Sequence, residues 1–178
     1  MAVLEIVRMG HPVLAHPAQL VADPTDASIR ALVADMTDTL SHSRGVGLAA
    51  PQVGVGKRVI LYFVPSHRGG EERPLTALIN PRLVPLSDAV EGEYEACLSV
   101  PGLTGLVPRW RHVGYTAYGL DGRVIQGEAE GFHARVLQHE CDHLEGRLYL
   151  SRMENLSSLA YTDELMRQRA AANQETPT

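Results

Sequence analysis

Apolar residues recur at Ile29, Leu32, Val33, Met36 and Leu40, the spacing of one face of an α-helix, and Asp26 stands ahead of them as an N-cap. The next segment, RGVGLAAPQVGVG (44–56), carries Gly45, Gly47, Gly54 and Gly56 and predicts a loop or bulged strand whose backbone another group can approach closely. Strands are expected at KRVILYFV (57–64), LTALIN (75–80) and HVGYTAYG (112–119), with GRVIQGEAEG (122–131) completing a hairpin through Asp121-Gly122. Helical spacing returns from Phe132 to Glu145, where Leu137, Cys141, Leu144 and then Leu148 form an apolar stripe and Gly146 supplies the stop. A last helical pattern covers about residues 154–170, and AANQETPT (171–178) reads as a frayed tail. These elements predict an α+β fold: mixed or antiparallel sheets around a central helix, with one helix toward the N-terminus and one toward the C-terminus. One domain is expected over residues 1–178, its core at about 5–150, since no repeat or linker divides the chain.

Charge narrows the partners. Asp and Glu outnumber Lys and Arg by 21 to 16, a formal charge of −5, so the basic footprint of a nucleic-acid binder is missing and no direct nucleic-acid recognition is expected. No stretch is long and apolar enough to cross a membrane, and the opening MAVLEIVRMGHPVL mixes charges into its apolar residues, unlike a signal or transit peptide. Two cysteines are too few for a disulfide framework, which points to a reducing compartment, the cytoplasm.

His139-Glu140-Cys141-Asp142-His143 fits H-E-x-x-H. Four residues apart on a helix, both imidazoles reach one metal ion while Glu140 stands beside it. The motif is short, and an ordinary polar helix face also satisfies it. A catalytic site of this type needs a third protein ligand and an open position for water. Three segments compete to supply the ligand. The continuation H-x-x-G-x-x-H keeps its glycine, Gly146, but has Tyr149 where the third histidine belongs. Glu164, in the last helical segment, would complete a two-histidine, one-glutamate site. Cys97, within GEYEACLSVPG, offers a thiolate, a strong ligand for zinc or ferrous iron, although a lone cysteine is often only a small buried apolar residue. Cys141 points away from the histidines with Leu137 and Leu144 and reads as packing.

Three separated segments resemble the peptide deformylase family. GVGLAAPQ (45–52) is similar to that family's G-x-G-x-A-A-x-Q, EACLS (95–99) to E-G-C-L-S, and QHECDH (138–143) to Q-H-E-x-D-H, all in the family's order. IVRMGHPVL, NPRLVP and SVPGLTGLVPR extend the resemblance to about residues 5–150. It implies that Cys97, His139 and His143 hold one divalent ion per chain, Fe²⁺ by expectation, with Zn²⁺, Ni²⁺ or Co²⁺ able to substitute. Glu140 would be the general acid and base, with the Gln52 side-chain amide and the Leu98 backbone N–H stabilising charge on the formyl oxygen. The implied reaction is hydrolysis of the formyl group from N-formylmethionyl peptides and nascent chains, releasing formate.

In family terms the peptide would lie extended along Gly45, Val46 and Gly47, with Phe132 and Val136 lining the methionine pocket. Glu95 and Arg109 would support the site as an ion pair, an ordinary surface arginine being the alternative. One departure stands out: the family's glycine before the cysteine is Ala96 here. Alanine costs about 1 kcal/mol or more if that backbone is left-handed, and its methyl group would crowd a passing peptide. The rivals are a zinc endopeptidase built on Glu164 and a catalytically silent relative that binds formyl-peptides or the ribosome, against which the presence of Glu140 argues. Arg152, Arg167 and Arg169 motivate a ribosome contact, though a packed or solvated helix accounts for them equally.

Overall fold

The computed structural model describes residues 2–68 and 72–174. Helix α1 (Ala27–Ser41) begins at Asp26, whose side chain accepts from the Ser28 N–H at 2.7 Å. The strands in chain order are β1 (Gly47–Ala49), β2 (Val59–Val64), β3 (Arg73–Pro85), β4 (Val90–Cys97), β5 (Val100–Trp110), β6 (His112–Tyr118), β7 (Val124–Glu130) and β8 (Ala160–Tyr161). Helix α2 (Gly131–Leu144) follows β7, and helix α3 (Thr162–Gln174) follows β8. Among the described residues the strands make two antiparallel sheets, β1-β2-β3-β6-β7 and β4-β5-β8. The α+β expectation holds.

Alternation along β2 sets the layers. Val59 and Leu61 pack with Ile29, Val33, Met36 and Leu40 of α1, whereas Ile60, Tyr62 and Val64 point to the opposite face and meet Leu137 and Leu144 of α2. A strand buried on both faces is apolar throughout, which is why VILYFV shows no polar alternation. The polar side of α2 meets the smaller sheet, where Gln138 brackets the Trp110 backbone, donating to its carbonyl at 2.8 Å and accepting from its N–H at 3.1 Å. Helix α2 is therefore enclosed on both sides, and its buried polar residues need partners within the protein.

Two parts of the chain depart from the sequence pattern. VPGLTGLVPRW forms β5 despite two prolines and two glycines. Strand β8 pairs only with Leu103 and Thr104, so Pro101 and Pro108 lie where β5 has an open edge, a place that tolerates proline. The last helix starts at Thr162 and not near residue 154, because Asn155 caps a 3₁₀ turn at Leu156–Ser158 and the chain then pairs briefly as β8. It also continues to Gln174, through half of the expected tail; residues 175–178 lie outside the described residues.

Gly146 ends α2 with φ +68°, and a Cβ there would lie 2.8 Å from the backbone of Ala15 and His16. Gly146→Ala should therefore destabilise the fold by about 2 kcal/mol or more, read as a fall in Tm of roughly 4–8 °C. Gly56→Ala, whose Cβ would meet only Val13 at 3.8 Å, should leave Tm nearly unchanged in the same scan.

Candidate metal centre and its cleft

Strand β4 ends at Cys97, which pairs with Val100 across a two-residue turn formed by Leu98 and Ser99. Helix α2 brings His139 and His143 to the same place, one turn apart. The Cys97 Sγ and one ring nitrogen from each histidine lie within 4.8 Å of one another, and Sγ is 3.4 Å from His143 Nε2. Tetrahedral coordination at ordinary bond lengths separates sulfur and nitrogen donors by about 3.5 Å, so these residues fit a divalent ion. Among the described residues Cys97 is the candidate third ligand that lies with the two histidines. Glu164 lies exposed on α3 and pairs with Arg167. Tyr149 is buried with its ring stacked on His139, centroids 6.3 Å apart.

Glu95 precedes Cys97 by two residues on β4, so the two side chains share a face. Its buried carboxylate accepts from His139 Nδ1 at 2.8 Å, from Arg109 Nε and Nη2 at 2.9 Å each, and from Arg135 Nη1 at 2.8 Å. Burial alone would raise the Glu95 pKa, but hydrogen bonds from His139 and Arg109 outweigh it and hold the carboxyl well below the usual range. With Nδ1 donating to Glu95, the other nitrogen of His139 is left to a metal. Arg109 also donates to Asp142 at 2.5 Å, and Asp142 accepts from Arg152 at 2.6 Å. Arg109 is thus buried within an ion network, which removes the surface-residue alternative.

Glu140 is buried, and among the described residues its Oε2 has no hydrogen-bond partner; burial pushes its pKa up to about 7. Strand β1 presses on it, for a Cβ on Gly47 would lie 2.7 Å from Glu140 Cδ. Only glycine fits. Gly45 is similarly close to Leu98, whose Cδ1 would be 2.9 Å from an added Cβ. Gln52 is oriented from both ends: Oε1 accepts from the Ala49 N–H at 2.9 Å, so Nε2 points to Cys97 Sγ at 3.5 Å and Ser99 Oγ at 3.3 Å.

These groups open into a cleft of about 470 Å³ whose walls include Gly45, Val46, Leu98, Phe132 and Val136. Ala96 lines it too. Among the described residues Asn80 is the only non-glycine with positive φ, so Ala96 carries no left-handed strain and acts only through its methyl group. The structure also brings in residues that sequence reasoning passed over: Ser99, Arg135, Asp142 and Tyr149. Arg135 and Asp142 were detectable in principle, since they lie four residues before and three after His139 and share its helix face; Ser99 and Tyr149 had no such signal.

A family model described as polypeptide deformylase matches residues 3–158. The chain is similar to peptide deformylase 1 of Bordetella pertussis, 49% identical over 163 residues, covering 90% of this chain and 93% of that protein. It is 47% identical over 164 residues to peptide deformylase 1 of Xanthomonas campestris, covering 90% and 96%. Among solved structures, the Ehrlichia chaffeensis peptide deformylase in complex with actinonin superposes with a TM-score of 0.82 at 32% identity, covering 99% of this chain and 100% of that one. A class I type b peptide deformylase from Acinetobacter baumannii gives 0.81 at 32%, covering 86% and 100%.

Cobalt(II) titration of metal-stripped protein should show one ion per chain with a thiolate charge-transfer band. Cys97→Ala should abolish the band, and Glu164→Ala should keep it. One bound ion without that band, kept in Cys97→Ala and lost in Glu164→Ala, would return the third ligand to α3.

Proposed function

The chain belongs to the polypeptide deformylase family, and from that premise we propose how its residues divide the removal of the formyl group from an N-terminal methionine. Cys97, His139 and His143 would hold a divalent ion, which when bound would supply a Lewis acid that brings the pKa of water near neutrality. Iron(II) is the resident ion in this reading, supported by a donor set of one thiolate and two imidazoles; Zn²⁺, Ni²⁺ and Co²⁺ suit the same donors. Glu140 accepts a proton from the attacking water and delivers it to the methionine nitrogen, which then departs as an amine. As charge grows on the formyl oxygen, Gln52 Nε2 and the Leu98 N–H donate to it, each worth about 3 kcal/mol. Ala49 and Ser99 hold the Gln52 amide in the orientation this requires. Glu95, itself held by Arg109, fixes the His139 ring.

The peptide lies extended along β1, an edge strand. The Val46 carbonyl accepts from the Phe63 N–H at 2.9 Å, so that oxygen serves the sheet, and alternation turns the backbone groups of Gly45 and Gly47 toward the open edge. Phe132 and Val136 form the apolar wall for methionine. The single observation that carries the reading is the convergence of three metal donors, a buried unpartnered carboxylate and an oriented amide N–H in one cleft. A Glu164-based endopeptidase loses its ligand to Arg167, and a silent relative would have no need of Glu140. We place the reaction in the cytoplasm, where translation supplies formylated chains; no described helix is long and apolar enough to cross a membrane. A ribosome contact would have to use Arg169, because Arg152 is engaged by Asp142, and Arg167 by Asp163 and Glu164.

Formate release from a formyl-Met peptide, with protein purified without oxygen and loaded with Fe²⁺ or Ni²⁺, tests the assignment. Glu140→Ala should lower kcat/KM by about 1,000-fold while still binding metal. Gln52→Ala should lower kcat by roughly 100-fold. No release from metal-loaded wild type would contradict the reading.

A further inference from the structure

The cleft continues past β4 to α3, where Thr162, Leu165, Met166 and Arg169 face it. Helix α3 begins at Thr162, beyond residue 158 where the family match ends. Arg169 is held at the mouth with its guanidinium 4.9 Å from the centroid of the Tyr94 ring. Arg68 is held in the same way, 5.0 Å from the centroid of the Phe132 ring. Arg44, on the loop before β1, is the third exposed arginine of the lining. Among the described residues none of the three pairs with a carboxylate. Among the described residues the only carboxylates lining the cleft, Glu95 and Glu140, are buried at its floor.

A chain of net charge −5 has thus gathered, around the entrance to this cleft, three arginines that no described carboxylate pairs with. We propose that Arg44, Arg68 and Arg169 form a cationic collar that selects formyl-methionyl peptides carrying Asp or Glu among the residues after the methionine. Leu165 and Met166 supply the apolar surface beneath, on which the stems of those side chains lie. The collar rests on the deformylase reading and deepens it. Peptide and not nucleic acid is the occupant, because the collar surrounds a concave site and whatever it attracts must run on to the metal donors.

The test is kcat/KM for three amidated peptides, formyl-Met-Ala-Ala-Ala, formyl-Met-Asp-Glu-Ala and formyl-Met-Lys-Lys-Ala, with the metal-loaded enzyme. Exposed ion pairs of this kind should favour the acidic over the neutral peptide by about 5-fold to 10-fold at low salt, and raising the salt to roughly 500 mM should bring the ratio toward 1. Arg169→Glu should remove that preference and improve the lysine peptide relative to the other two, while Arg169→Lys should retain most of the wild-type ratio. Formate release without discrimination by charge, or a ratio that survives Arg169→Glu, overturns the collar alone. No release from any of the three peptides overturns the collar together with the reading on which it rests.

Discussion

The Glu95 carboxylate is where the smaller sheet and the central helix are joined. Four hydrogen bonds from His139, Arg109 and Arg135 converge on it, all between 2.8 and 2.9 Å. Cys97 lies two residues further along the same strand, and His143 one turn beyond His139 on the same helix. The contact that docks β4 on α2 therefore also sets the distance between the thiol and the imidazoles. Removing one member of such a buried charged group typically costs 3–5 kcal/mol, because its partners are left uncompensated. Asp142 extends the arrangement by binding Arg109 from the helix and Arg152 from the turn that follows. Helix α2 can thus carry charged residues through the middle of the protein.

The reactive side of the site is built by close approach. Gly47 lets the β1 backbone lie against Glu140, and a methyl group in its place would displace the carboxylate. Burial raises the proton affinity of that group, which suits the proton transfer proposed for it. Gln52 is the opposite case: both ends of its amide are engaged, so its N–H is aimed before substrate arrives. One side chain is poised by lacking partners and the other by having them.

Much of this was legible in the sequence, for identifiable reasons. Helices α1 and α2 followed from the spacing of Ile29 to Leu40 and of Leu137 to Leu144, because the helix face that meets an apolar core must repeat its apolar residues. The convergence of His139 and His143 was legible because helix geometry fixes what H-E-x-x-H can do, and that of Cys97 because a resemblance singled it out. Strand β5 was not legible: Pro101 and Pro108 argue against a strand unless the open edge beside them is known. The start of α3 was hidden by Asn155, a local cap that outweighed the helical pattern. Ser99 gave no clear signal, since its partner Gln52 lies 47 residues away in the chain.

The most direct test of this account is the metal affinity of Glu95→Gln, measured by competition with a chromophoric chelator on protein shown to be folded by circular dichroism. If Glu95 orients His139 and docks the cysteine strand on α2, affinity should fall by about 10-fold to 100-fold. Wild-type affinity in the folded variant would mean that the three ligands hold their geometry without the buried network, and would contradict the central role given to it.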